Sequence, residues 1–207
     1  MKTMEKVYYI SQGSSPEEHI RNIESVCKGG VRLVQLRLKN VSQETYNSAA
    51  CAAKKICDEY GATFIVNDNI EAAIISDAHG VHLGKKDQPI AEAKSKIGHK
   101  IIGGTANTLE DCLHLIGENV DYIGLGPFRF TETKSGLSPI LGTKGYQSIM
   151  NELIKLGHST PVFAIGGIIS EDITEILATS VHGIAVSGLL TNVSNVQESM
   201  DKINTLV

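Results

Sequence analysis

The sequence lacks what would tie a protein to a membrane, send it out of the cell or hold it on nucleic acid. No stretch approaches the ~18 uninterrupted apolar residues of a membrane span. The opening Met1-Lys2-Thr3-Met4-Glu5-Lys6 has no apolar run of signal-peptide length behind it. Lys and Arg number 19 against 23 Asp and Glu, a net charge of −4. That balance argues against a general nucleic-acid binder, whose affinity rests on clustered cations. Cys27, Cys51, Cys57 and Cys112 form no C-x-x-C pair and read as small apolar residues of a reducing compartment. His19, His79, His99, His114, His158 and His182 show no metal-ligand spacing, and His82, inside an apolar strand, reads as a hydrogen-bonded core residue. The expectation is a cytoplasmic protein that acts without membrane or nucleic acid. A homo-oligomer is compatible with the sequence.

Core-forming residues are plentiful. Of 207 residues, 42% are hydrophobic and 20% charged, and no repeat, low-complexity tract or linker interrupts them. One domain over residues 1–207 is expected. Short apolar runs recur at Val7–Ile10, Leu33–Leu36, Thr63–Val66, Gly80–Leu83, Lys100–Gly103, Tyr122–Leu125, Val162–Ile165 and Gly183–Val186. Their continuity predicts strands buried on both faces of a parallel sheet. Between them, helices are expected from Ser15-Pro16-Glu17-Glu18, over Ser42 to Glu59, Leu109 to Ile116 and Thr143 to Leu156, from Ser170, and over Ser194 to Ile203. Eight evenly spaced βα units favour closure, so the fold class is α/β, a single (β/α)8 TIM barrel.

Such a barrel places chemistry at the carboxyl ends of its strands. Two-residue alternation puts Gln35, Arg37 and Lys39 on one face, where two cations and an amide resemble a diphosphate cradle. Strand three delivers Asn67-Asp68, and Asp87 follows strand four. Neighbouring strands lie ~4.8 Å apart, so the two aspartates can converge on one Mg2+, which takes one or two protein carboxylates and completes its shell with water and phosphate. A helix cap is the plainer role for Asp68. The long segment from Gly124 to Gly142 carries Thr131-Glu132-Thr133-Lys134, suited to closing over a phosphate. Gly166-Gly167 after strand seven and Ser187-Gly188 after strand eight fit a phosphate monoester site.

Together these motifs make the chain resemble the thiamine-phosphate synthase (thiamine-phosphate pyrophosphorylase) family from about Val7 to the end. The matching pieces are Val34-Gln35-Leu36-Arg37-Leu38-Lys39, Asn67-Asp68, Gly80-Val81-His82-Leu83-Gly84 with Asp87, and Ile102-Gly103. They continue through Asp121-Tyr122-Ile123-Gly124 with Gly126-Pro127, Thr131-Glu132-Thr133-Lys134, Ala164-Ile165-Gly166-Gly167-Ile168 and Ala185-Val186-Ser187. The resemblance implies a transferase. Hydroxymethylpyrimidine diphosphate would lose pyrophosphate as a thiazole phosphate nitrogen bonds to its exocyclic carbon, giving thiamine phosphate. By the same resemblance Arg37, Lys39, Asn67 and Lys134 hold the diphosphate, and Gln35 contacts the pyrimidine. Arg37, Lys39 and Lys134 carry the catalysis as cations on the leaving anion, and Asp68 and Asp87 bind Mg2+. Thr131, Thr133, Gly167, Val186 and Ser187 line the thiazole phosphate site.

The chain departs from the family pattern at several positions. Gly103-Gly104-Thr105 stands where Gly-x-Ser is usual, so Thr105 takes the serine's place at the pyrimidine. Leu38 replaces a Glu, Asn69 an Arg, His79 an Asp and Lys85 a Gln; Lys85, two residues from Asp87, is expected to retune the metal site. Two other readings stay open. A thiazole tautomerase of the same lineage needs the phosphate site but not the diphosphate apparatus. A non-catalytic phosphate-ligand barrel needs only the fold.

Overall fold

Strands that are apolar at every position must bury both faces, and a closed barrel wrapped in helices does so. The computed structural model describes residues 4–130 and 139–207. Eight parallel strands pair in chain order: β1 (Val7–Ile10), β2 (Leu33–Leu36), β3 (Thr63–Asn67), β4 (Gly80–Leu83), β5 (Ile101–Ala106), β6 (Tyr122–Leu125), β7 (Val162–Ile165) and β8 (Gly183–Val186). Closure comes from β8 on β1, with Tyr9 level with Val186. This is the (β/α)8 barrel that the spacing predicts. Strand β5 outruns its predicted end because Thr105 and Ala106 pair with Gly124 and Leu125.

Pleating divides the apolar residues between two cores. Tyr8, Ile10, Leu33, Ile65, Tyr122, Phe163 and Ala185 point inward and fill the barrel. Their neighbours Tyr9, Val34, Val66, Ile123, Ala164 and Ile184 point outward under the helices. Full burial of a Val, Leu, Ile or Phe side chain among them contributes ~1.5–3 kcal/mol.

The helices start where the capping residues stand. Ser15 accepts the Glu18 N–H at 3.3 Å and opens α1 (Pro16–Lys28). Ser42 accepts the Thr45 N–H at 3.2 Å and opens α2 (Gln43–Glu59). Then come α3 (Ile70–Ile75), α4 (Ile90–Ile97), α5 (Leu109–Gly117) behind a Thr108–Asp111 capping box, and α6 (Gly142–Lys155). A 3-10 turn, Ser170–Asp172, leads into α7 (Ile173–Leu177); α8 (Gly188–Thr191) and α9 (Val196–Asn204) close the chain. Sequence reading finds no α4, whose start at Pro89 has no side-chain cap to announce it. No helix among the described residues is long and apolar enough to cross a membrane.

Two tyrosines on the helices bind the strand ends together. Tyr46 of α2 donates to the carbonyls of Leu36 (3.1 Å) and Asn67 (2.7 Å), spanning β2 and β3. Tyr146 of α6 donates to the Leu125 carbonyl and accepts the Ile165 N–H at 3.2 Å, spanning β6 and β7. Inside the barrel, the Tyr122 ring occupies the space where a Cβ on Gly103 would project. Gly103→Ala is therefore expected to cost about 1–3 kcal/mol, as overpacking does. A thermal melt unchanged from wild type would show that the ring can step aside.

Candidate functional site

At the carboxyl ends of β3 and β4 the chain brings two aspartates together. Asp68 follows β3 in the left-handed region (φ 62°), which a short polar side chain tolerates. It does not cap α3; Asn69 does, accepting the Ala72 N–H at 2.8 Å. Asp87 closes a turn, its Oδ2 accepting the Gly84 N–H at 2.6 Å. The two carboxyl groups are within hydrogen-bonding reach of each other, and Lys39 pairs with Asp68. Burial first, then the hydrogen bond and charge of Asp68, raise the Asp87 carboxyl to about 6 against the opposing Gly84 N–H and Lys39. For Asp68 burial pushes upward too, but the bond from Asp87 and the Lys39 ammonium outweigh it, leaving the carboxyl below its ordinary range. Two like charges at one spot share a proton or take up a cation. Among the described residues no group of three or more His, Cys, Asp and Glu side chains gathers, so this rim offers a pair. A pair suits magnesium bound largely through water and phosphate.

Strand β2 delivers its residues as alternation predicts, but to different depths. Gln35 is buried inside the barrel, Arg37 is half-buried and Lys39 is exposed. Gln35 Nε2 donates to the Tyr8 hydroxyl at 2.5 Å, and Tyr8 meets Tyr122 at 2.7 Å. Tyr122 then lies 3.1 Å from His82 Nδ1, and His82 Nε2 lies 2.9 Å from the Thr105 hydroxyl. A continuous polar chain thus links Gln35 to Thr105 through the barrel interior, with His82 as the hydrogen-bonded core residue expected. Burial raises both phenols, keeping them protonated. Sequence reading missed Tyr8 and Tyr122; a phenol in an otherwise apolar strand, which needs a partner when buried, is the signal that could have found them. Asn67, also buried, stands level with His82 across β3 and β4.

On the opposite side, Gly166 (φ 100°) and Gly167 (φ 70°) turn the chain after β7 in a conformation that glycine adopts freely. Ser187 follows β8 and donates to Gln12 Oε1 at 3.0 Å. The Val186 side chain packs in the outer core, so only its backbone can face the rim. Arg129, unnoticed in the sequence, bonds the Asp172 carboxylate at 2.8 Å and the Gly167 carbonyl at 3.3 Å, tying the segment after β6 to the turn after β7. Thr131, Thr133 and Lys134 lie outside the described residues.

The departures from the family pattern have structural uses. Leu38 is buried in the outer core, and Asn69 is the α3 cap. His79 Nδ1 accepts the Phe64 N–H at 2.9 Å. Lys85, expected to act on Asp87, instead pairs with Asp111 at 2.7 Å, because the capping carboxylate of α5 attracts it away. Thr105 keeps the hydroxyl that His82 engages.

The family model described as thiamine monophosphate synthase matches residues 7–190. The chain belongs to that family. A protein named thiamine-phosphate synthase in Flavobacterium psychrophilum is 46% identical over 200 residues, covering 96% of this chain and 97% of the relative. Another of that name in Bacteroides fragilis is 41% identical, covering 97% and 98%. The solved thiamine phosphate pyrophosphorylase from Pyrococcus furiosus superposes with a TM-score of 0.85 at 28% identity, covering 97% of this chain and 94% of its own. Family membership thus spans the rim that holds Gln35, Arg37, Asp68 and Asp87.

The aspartate pair has a consequence for stability without metal. A carboxyl raised from 3.8 to about 6 favours folding only while protonated. Its contribution is complete below the lower value and lost as pH rises through the upper one. Asp87→Asn removes that loss while keeping an acceptor for Gly84. In chelator, the variant is expected to melt about 2–4 °C above wild type at pH 7.5, ~1 kcal/mol after allowance for solvent screening. Below pH 3.8 the two should melt alike. A variant no more stable at pH 7.5 would mean that neither burial nor Asp68 raises the Asp87 carboxyl.

Proposed function

We propose that this chain is a thiamine-phosphate synthase, joining hydroxymethylpyrimidine diphosphate to thiazole phosphate to give thiamine phosphate and pyrophosphate. The observation that carries this is the meeting of Asp68, Asp87 and Lys39 at one strand rim, beside Gln35 and Arg37. Family membership and the names of the relatives support it.

The residues fit the demands of the reaction. The pyrimidine is electron rich and can carry positive charge at its methylene as the C–O bond to the diphosphate breaks. The protein then needs to stabilise a leaving anion and aim a nucleophile, with little acid–base chemistry. In this reading Arg37, Lys39, Asn67 and Lys134 hold the diphosphate, while Gln35 and Thr105 hold the pyrimidine. Thr131, Thr133, Gly167, the Val186 backbone and Ser187 hold the thiazole phosphate, so that its nitrogen lies against the methylene. Asp68 and Asp87 would hold magnesium, which when bound supplies positive charge to the departing pyrophosphate. Lys39, exposed and paired with Asp68, would supply its charge to the diphosphate from the same rim. The tautomerase reading leaves the aspartate pair and Lys39 without a task. Small-molecule substrates and four free cysteines, three of them buried, support a cytoplasmic setting.

Incubation with both heterocycles and magnesium is expected to give thiamine phosphate and pyrophosphate in equal amounts. Isomerised thiazole alone, or binding without turnover, would overturn the reading. Asp87→Asn is expected to lower kcat/KM on the order of 10²-fold, as loss of one group that stabilises transition-state charge does. It should also raise the magnesium concentration for half-maximal rate; wild-type behaviour on both counts would remove Asp87 from the metal site.

A further inference from the structure

Where β1 ends, a side chain continues its ladder. The Ser11 N–H donates to the Gln35 carbonyl at 2.9 Å, as a strand residue would. One step further along β2, the Arg37 N–H donates at 3.0 Å to the Ser11 hydroxyl oxygen, which stands where the next β1 carbonyl would lie. That hydroxyl is itself held by His19 Nδ1 at 2.7 Å, from the first turn of α1. Ser11 and His19 are both buried. The loop between β1 and α1 fits tightly over the imidazole: a Cβ on Gly13 would lie 3.1 Å from His19 Cδ2. Asn22 further secures the loop, donating to the Gln12 carbonyl at 2.8 Å.

We infer that Ser11 and His19 are positioning residues, setting the backbone of Arg37 so that its guanidinium meets the substrate diphosphate. The inference rests on the synthase reading above, in which Arg37 grips that group. A hydroxyl can accept the Arg37 N–H and turn its own proton to a neutral imidazole, so its orientation is determined from both sides. Burial lowers the His19 titration point and the Arg37 charge lowers it further, while the Gly13 carbonyl and Glu18 oppose. The imidazole is therefore uncharged at neutral pH and adds no cation to compete with Arg37. Without Ser11 the Arg37 N–H would lose its acceptor at the point where the strand frays. Displacement of an oriented cation by a fraction of an ångström weakens its hold on an oxyanion steeply. The thiazole phosphate site, at β7 and the β8 that adjoins β1, meets this loop through the Gln12 side chain, which accepts from Ser187, rather than through the Ser11 hydroxyl.

The test uses the full chain with Ser11→Ala, His19→Ala, His19→Asn and the Ser11→Ala/His19→Ala double variant. Steady-state rates are measured against each substrate in turn, together with calorimetric titration of inorganic pyrophosphate in magnesium. Each alanine variant is expected to raise KM for the pyrimidine diphosphate and weaken pyrophosphate binding about 5- to 10-fold, the scale of one lost hydrogen bond to a catalytic element. KM for the thiazole phosphate should stay within about twofold. The double variant should be no worse than the worse single one, because both act through one hydroxyl. His19→Asn, which offers an acceptor near Nδ1, should recover at least half of the loss. Unchanged KM for the diphosphate in Ser11→Ala, or equal loss toward both substrates without rescue by Asn, overturns the inference. If His19→Ala does not fold, Ser11→Ala decides alone. A wild-type protein that forms no thiamine phosphate overturns the synthase reading and this inference with it, whereas normal wild-type turnover with wild-type-like variants overturns only this one.

Discussion

A closed eight-stranded barrel has room inside for side chains and little else, so each polar atom on an inward-facing position must find its partner there. In this chain the requirement is met by one series of contacts running Gln35, Tyr8, Tyr122, His82, Thr105. No member can be replaced by an apolar residue without stranding the next, since a buried unpaired polar group costs about 1–3 kcal/mol. The series also explains local choices along the strands. Gly103 is small because the Tyr122 ring lies against it. Phe163 stands edge-on to both Tyr8 and Tyr122 and fills the remaining interior space. Gln35 and Thr105, at the two ends of the series, are thereby oriented by packing inside the barrel.

Above this packed interior the rim is built on charge. Asp68 and Asp87 are placed by turns rather than by strands, one through a left-handed backbone and one through its own bond to Gly84. Their proximity is unfavourable by itself, and Lys39 relieves only part of it. Arrangements that destabilise the unliganded protein persist where a ligand uses them. His79, His82 and the three buried cysteines, by contrast, serve the frame. His82 belongs to the interior series, His79 takes a strand N–H, and Cys27, Cys57 and Cys112 are buried. A reaction that ejects a stable anion from an electron-rich ring asks for neither a general base nor a covalent nucleophile.

Much of this could be read from the residues in order. The strands reveal themselves because burial on both faces leaves no polar positions to blur the pattern, and seven of the eight begin where the runs begin. Ser15 and Ser42 mark their helices because a cap is a local bond, made three residues away. Gln35, Arg37 and Lys39 fall on one face because the pleat repeats every two residues. Helix α4 escaped notice, having no capping side chain at its start. Lys85 was assigned to Asp87 by sequence proximity, whereas its partner Asp111 lies 26 residues away along the chain.

What the sequence determined by itself, then, was everything set by short-range periodicity: eight alternating units, the faces of each strand, most helix starts, and a set of motifs sufficient to place the family. The tertiary structure alone decided which polar groups meet. Ser11 with Arg37, Tyr8 with Tyr122 and Asp68 with Asp87 join residues from different strands and loops, separated by 26, 114 and 19 positions. Their distances depend on barrel closure and register. Periodicity along one chain carries no information about that, because a hydrogen bond is a condition on a few tenths of an ångström between segments whose relative position only the closed fold supplies.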